Sequence, residues 1–377
     1  MKSPQIEVKS DVLRWARESS GYSIDEVAKK INILSNTVVQ WEAKPSKISY
    51  STVAKLAKIL KRPAIALLLN KPPSEPSLPS YFRRNNELKE LSPDIRIAIR
   101  KARHLQHTAK NLEENLKFDA KKIVESASLS DAPDKIAERE RNNLGITTET
   151  QLTWRDPRIA LNEFRKAIEN KNIFIFQMAL PTEQAQGFSL PDYKAPVIVL
   201  NSKDMYERRL FTLFHEYAHI LLGESGVCTD LESQSDNQIE RWCDQFAGSF
   251  LVPKEDLLSK ISDNTQITYE KLSALAKSFS VSKHMVFVRM SITGKLSAYD
   301  KSVLSKIFSR NKDNVNKKSA SKGGIPPHRR CLSQKGNKFV SLVLENSRKN
   351  QITTSEALGH LEVKLNNLPK LEATLNR

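Results

Sequence analysis

His215-Glu-Tyr-Ala-His219 is the stretch whose residue types and spacing point most directly to chemistry. Two histidines four apart on a helix face the same way, so both imidazoles can reach one metal ion. Glu216 is then placed to take a proton from the water that such a metal activates. The motif fixes only three positions, and the chain has seven histidines, so it needs a third ligand. Downstream, in the segment Ile239 to Pro253, residues Ile239, Cys243, Phe246, Phe250 and Leu251 form an apolar helical stripe that Pro253 ends. Glu240 and Asp244, four apart, share a face beside that stripe. A carboxylate on a partly buried helical face is costly unless it is paired or metal-bound. Glu240 supplies the third ligand; two His and one Glu, with the fourth position open to water, is the catalytic form of zinc coordination. Asp244, one turn on, can accept the other ring N–H of a ligand histidine and fix its tautomer. The bland alternative makes Glu240 and Asp244 a solvated face paired with Arg241 or Lys254.

Elements must hold these residues. Phe211, Phe214, Ala218, Leu221 and Leu222 give a helical apolar stripe around the histidines, with Gly223 as its stop. Three short β-prone runs come just before it: Ile173–Phe176, Gly187–Leu190 and Pro196–Asn201. They predict a small sheet beside the metal-bearing helix, whose outer edge can take an extended peptide as one more strand or can simply brace the core. After it, Leu272, Leu275, Ala276 and Phe279 predict one helix, and Ser282 caps another. A residue stabilising the oxyanion is expected, with His284 and Tyr193 as candidates. Other metal readings are weaker: His104 and His107 lack a completing ligand, and so do His328 and Cys331.

The N-terminal part is organised differently. Val12, Leu13 and Ala16 start a helix, Ser23-Ile-Asp-Glu26 is a capping box opening a second, and Ser35 to Glu42 follows a short turn as a third. That third helix exposes Ser35, Asn36, Val39 and Gln40, buries Val38 and Trp41, and can offer amides and hydroxyls to base edges in a major groove. Ser51 is expected to cap a further helix, Thr52 to Leu60. Residues 70–82 hold four prolines and read as an extended linker, followed by a long helix with Ile95, Ile99, Ala102, Leu105, Ala109 and Leu112 on one side. Residues 311–337 read as a basic flexible linker, and 338–375 as a small helical end.

The net charge of +17 is uneven. Residues 1–72 carry +7, residues 301–377 carry +11, and the middle is near neutral. The ends, not the centre, are therefore suited to a polyanion such as double-stranded DNA. No apolar run has membrane-spanning length and no N-terminal signal is evident, so no membrane partner is expected. Three cysteines, widely spaced and odd in number, fit a reducing cytoplasm.

Two resemblances follow from these residues. The capping box, Val27-Ala28, the turn, Thr37-Val-Val-Gln-Trp-Glu42 and Leu56-Ala-Lys-Ile-Leu60 resemble the XRE (phage-repressor-like) helix-turn-helix domain, departing from its frequent Gly and Pro at Lys44 and Ile48. That makes Ser35, Asn36, Thr37, Val39 and Gln40 the implied DNA contacts. Phe211-Thr-Leu-Phe-His-Glu-Tyr-Ala-His219, with Glu240-x-x-Cys-Asp-x-Phe-Ala-x-x-Phe-Leu-Val-Pro253, resembles the ImmA/IrrE family of metallopeptidases over roughly 150–300. Phe214, Tyr217 and Cys243 stand where that family usually has smaller or different residues. The resemblance implies a zincin-like domain with His215, His219 and Glu240 as zinc ligands and Glu216 as catalytic base. It also implies a protein substrate, a transcription regulator cleaved in a stress, phage or mobile-element response.

The expected architecture is α+β and predominantly helical. It comprises a helix-turn-helix bundle over 1–70, a linker and connector over 71–150, a metallopeptidase domain with a small β-sheet over 151–305, a basic linker over 306–337 and a small helical C-terminal region over 338–377. The expected function is a cytoplasmic zinc endopeptidase coupled to a DNA-binding domain and acting on a regulator encoded nearby. The alternative is a DNA-binding regulator or antitoxin-like module whose metal site senses or stabilises. The oligomeric state stays open.

Overall fold

Local rules shape the N-terminal part. Ser23 accepts from the Glu26 backbone N–H while Glu26 reaches back to the Ser23 N–H, a complete capping box. The computed structural model that shows this describes residues 3–74, 91–117, 125–182, 184–223, 235–261, 266–311 and 324–375. The prolines between 75 and 82, and Cys228, lie outside the described residues. The chain forms two compact units, Met1–Lys101 and Ala102–Arg377. Among the described residues no helix is long and apolar enough to cross a membrane.

In the first unit, α1 (Ser10–Ser19), α2 (Ile24–Ile31), α3 (Ser35–Ala43) and α4 (Tyr50–Leu60) pack around Leu13, Ala16, Val27, Ala28, Val38, Val53 and Leu56. A two-stranded antiparallel ribbon, β1 (Gln5–Val8) with β2 (Ser46–Ser49), adds Val8 and Ile48 to this core. The ribbon was not expected. It also moves the start of α4: Ser49, not Ser51, accepts from the Thr52 N–H, because β2 runs straight into the helix. Arg17 grips Glu42 through two bonds of 2.7 and 2.8 Å, fixing α1 against the end of α3. Helix α5 (Pro93–Asn115) is the predicted long helix, and the division between the units falls within it.

In the second unit, α6 (Pro133–Leu144), α7 (Thr148–Trp154) and α8 (Pro157–Glu169) lead into a three-stranded sheet of β3 (Phe174–Met178), β4 (Gly187–Leu190) and β5 (Val197–Asn201), in the order β3-β5-β4. β3 pairs parallel with β5, and β4 pairs antiparallel with it. Helices α9 (Tyr206–Leu222) and α10 (Ser235–Leu251) follow, then α11 (Lys254–Ser259), α12 (Tyr269–Phe279), α13 (Lys283–Ile292) and α14 (Ala298–Asn311). Ser282 caps α13 as expected. α9 lies between the sheet and α10, which is why Leu213, Phe214, Tyr217 and Ala218 are fully buried.

The C-terminal helices are α15 (Pro327–Lys335), α16 (Asn337–Arg348), α17 (Thr354–Leu361) and α18 (Leu368–Leu375). α15 overturns part of the linker expected over 311–337. Pro327 starts a helix whose Cys331 is buried and whose thiol faces the Leu361 carbonyl, and Lys335 pairs with Glu362. α15 packs against β3: the Ser333 carbonyl accepts from Arg165 and Gln177. Glu169 accepts from the backbone N–H groups of Asn337 and Lys338, at 3.2 and 3.3 Å. Gly336 permits that approach; it has φ +79°, and a Cβ there would collide with the Glu169 carboxylate.

Candidate metal centre

The site begins with how α9 and α10 are held together. Phe214 stacks on Phe250 at 3.9 Å between ring centroids, and Phe164 of α8 meets both edge-on. Tyr217 donates to the buried Glu140 at 2.6 Å, tying α9 to α6. The end of α10 needs partners for its last carbonyls. Arg141 donates to Phe250 O at 2.7 Å, Gln151 to Leu251 O at 2.9 Å and Arg289 to Val252 O at 3.0 Å. Arg141 also bonds Gln151 and Thr148, and burial pulls its guanidinium down to about 10. Sequence reading missed Glu140, Arg141 and Gln151, because their partners lie up to about a hundred residues away.

On this frame His215, His219 and Glu240 converge. Among the described residues they form a group of three whose ligand atoms all lie within 4.8 Å of one another. The two Nε2 atoms are 3.2 Å apart, and the Glu240 oxygens stand 3.1 Å from His215 Nε2 and 3.4 Å from His219 Nε2. Two nitrogens each ~2.0–2.1 Å from one tetrahedral zinc stand about 3.3 Å apart, so the separation of the histidine nitrogens matches that of two ligands of one such ion. Asp244 bonds His215 Nδ1 at 2.9 Å, which leaves Nε2 free to face the cluster. Cys243 lies fully buried in the apolar stripe, and burial drives its thiol pKa upward.

The electrostatics agree with a cation site. Burial alone would lower the His215 pKa, but the hydrogen bonds to Asp244 and Glu240 outweigh it and push it up to about 10. Burial would raise the Glu240 carboxyl, yet the bonds from His215 and His219 hold it well below the usual carboxylate range. Both shifts describe a pocket that favours positive charge among these groups.

Glu216 is 5 % exposed, and its Oε2 has no hydrogen-bond partner among the described residues. An unpaired buried carboxylate oxygen is costly, and next to three ligand atoms it is an acceptor waiting for a proton or a water. Gly187, at the start of β4, forms the wall beside it. A Cβ there would stand 2.5 Å from Thr212 Cγ2, 2.6 Å from the Val199 carbonyl and 3.6 Å from Glu216 Cγ.

The other expected residues fall as follows. Phe188, Ser189 and Leu190 are buried, so β4 is accessible only near Gly187 and does not offer the open edge that an added strand needs. Tyr193 is 63 % exposed in the β4–β5 loop, and His284 on α13 sits against Phe287 of the same helix and Phe308 of α14; neither belongs to the three-ligand group. His104 and His107 are exposed on α5. On α3, Asn36, Val39 and Gln40 are exposed as expected, and Thr37 is half-buried. Ser35 is a correction: it is half-buried, and its hydroxyl is spent on Asp25 at the start of α2.

A histidine pair on one helix and a glutamate from the next make a group that could hold a metal ion, with the buried Glu216 directly after the first histidine, in a chain whose N-terminal unit has a helix-turn-helix. Comparison with known proteins gives the same two parts. Residues 168–291 match the IrrE N-terminal-like domain family and residues 13–67 match the Helix-turn-helix family. The chain therefore carries an XRE-type helix-turn-helix domain at its N-terminus, followed by an IrrE-like domain. It is similar to the radiation response metalloprotease IrrE of Deinococcus deserti, 33 % identical over 112 residues. That match covers 27 % of this chain and 38 % of the relative, so well under half of the relative's length is represented. A solved Mycobacterium tuberculosis transcriptional regulator is 23 % identical, with a TM-score of 0.31 over 42 % of this chain and 46 % of that one.

Proposed function

We propose that the chain is a zinc-dependent endopeptidase joined to a DNA-binding head, acting on a specific protein, a transcription regulator encoded nearby, in a stress, phage or mobile-element response. The observation that carries the enzymatic part is the unpartnered Glu216 oxygen beside the converged His215, His219 and Glu240. A closed structural site would add a fourth protein ligand, whereas three ligands leave one position for water and substrate. When bound, zinc supplies Lewis acidity to the scissile carbonyl and lowers the pKa of water. The chain's own residues do the rest. Glu216 accepts the proton of the attacking water and returns it to the leaving amine. Asp244 holds the His215 ring, and Gly187 keeps the space beside Glu216 open.

For the head, the fold of α2 and α3, the +7 charge of residues 1–72 and the relation to the Helix-turn-helix family support binding of double-stranded DNA. The test of the enzymatic part is Glu216→Gln with proteins encoded beside this gene as substrates. The variant should keep its zinc and lose cleavage. Cleavage that persists removes Glu216 as base, and zinc retention with no cleavage by the unaltered chain favours a sensory metal site instead.

A further inference from the structure

Helix α3 has an unusual face for so basic a chain. Its sequence, Ser35 to Ala43, contains a single charged side chain, Glu42, and that residue is buried against Arg17. The positions left exposed are Asn36, Val39, Gln40 and Ala43, spaced i, i+3, i+4, i+7, so they form one stripe along the helix. The stripe holds two carboxamides and two apolar groups and no charge. Val39 is 44 % exposed although it is apolar. Charge returns on the neighbouring segments: Lys29 and Lys30 at the end of α2, Lys44 at the end of α3 and Lys47 on β2 are all exposed, and Asp25, which accepts from the Ser35 hydroxyl, is the one acid shown in contact with α3 on its N-terminal side.

The edges of base pairs ask for different partners. Guanine, with two acceptors, is read by Arg or Lys, and the cytosine amino group by a carboxylate. The stripe has neither. Adenine offers one acceptor and one donor side by side, which a carboxamide matches with its own NH2 and C=O, and thymine offers a methyl group that wants an apolar contact. Asn36 lies in the first turn of the helix, whose residues reach base edges when such a helix enters the major groove, and Gln40 lies one turn further along the same face. The lysines around the stripe suit phosphates, which position the helix without reading sequence.

We propose that α3 reads adenine–thymine pairs: the Asn36 and Gln40 carboxamides each engage an adenine edge, and Val39 packs on a thymine 5-methyl group. This rests on the DNA-binding reading of the head, and the experiment separates the two. The full-length protein is incubated with a pool of random duplexes at two salt concentrations, and the bound fraction is sequenced. The expected core has A·T pairs at the contacted positions. Asn36→Ala and Gln40→Ala each relax the preference at one A·T position and weaken binding to the selected site by about tenfold to a hundredfold, with binding to unselected duplex unchanged. Replacing the relevant thymine by uracil, which removes only the methyl, weakens binding to the unaltered protein but not to Val39→Ala. All three residues are exposed, so the variants should unfold at the same denaturant midpoint as the parent. G·C pairs at the positions that Asn36→Ala or Gln40→Ala relaxes overturn the proposal, as does indifference to uracil. Steeply salt-dependent binding with no preferred sequence also overturns it while leaving the DNA-binding reading intact. Absence of binding to any duplex at low salt removes that reading as well, and makes the stripe a surface for protein.

Discussion

Asp244 offers the sharpest check on the metal centre, because it touches the site without being a ligand. Its Oδ1 lies 2.9 Å from His215 Nδ1, and its side chain is 57 % exposed. Asp244→Ala removes the acceptor that selects the Nδ1–H tautomer and fixes the ring, so Nε2 no longer faces Glu240 and His219 by default. Loss of such a partner typically lowers metal affinity by about 10–100-fold. At about 1.4 kcal/mol per factor of ten, that is ~1.4–2.8 kcal/mol of binding free energy. Exposure limits the other effect: as a half-exposed ion pair, Asp244 contributes roughly 0–1 kcal/mol to the stability of the metal-free fold. The two effects therefore separate. Zinc titration against a competing chelator should show the affinity loss, while urea unfolding of the metal-free variant should stay close to the parent. Asp244→Asn keeps an oxygen acceptor and should fall between the two in affinity. Wild-type affinity in Asp244→Ala would refute the reasoning, and a large loss of metal-free stability would make Asp244 a structural residue instead.

Three further outcomes are expected. Gly187→Ala forces a Cβ to within 2.5 Å of Thr212 and 2.6 Å of the Val199 carbonyl, so it should cost about 1–3 kcal/mol of stability. Because relieving these clashes must shift Thr212 or the β4–β5 pairing, both next to Glu216, cleavage should fall by up to about 100-fold with zinc content retained, measured by turnover and metal analysis on one preparation. Arg141→Ala leaves the Phe250 carbonyl and the Gln151 side chain short of a buried donor and should cost about 3 kcal/mol in chemical unfolding; a change under ~0.5 kcal/mol contradicts the role given to it. Acid stability follows Asp134 and Asp192. Burial would raise both carboxyls, but Arg289 and Lys110 respectively outweigh it and hold them below their usual value of 3.8. A depressed folded pKa gives stability that is present above about pH 4 and lost as pH falls through the folded value. Asp134→Asn should therefore flatten the loss of stability below pH ~4 and leave the pH dependence above pH ~5 unchanged, as followed by unfolding midpoints across that range.

The parts of this molecule legible in its sequence are those set by local pattern. The three strands beside the site appear within two residues of their expected bounds, because each is a short apolar run with clear punctuation. The capping box at Ser23 and the registers of α9 and α10 are legible for the same reason, and those registers let Glu240 face the histidines once the two helices pack. What could not be read depends on partners far along the chain. β1 and β2 contribute four residues each, with one buried side chain apiece, and pair across nearly forty intervening residues. α15 looks like linker by composition and becomes a helix on the strength of Leu361, Glu362 and the β3 edge. These distant partners also bear on function. α15 and Arg165 occupy the β3 side of the sheet, while burial closes β4 from Phe188 onward. Gly187 is the one residue of β4 not buried, and it stands against Glu216, so on the proposed reading a substrate would reach Glu216 across Gly187 instead of extending the sheet along its length. On the proposed peptidase reading, a peptide bound that way would make few backbone bonds, and its selection would have to come from side-chain contacts near the three-ligand group or from the proposed DNA-bound head.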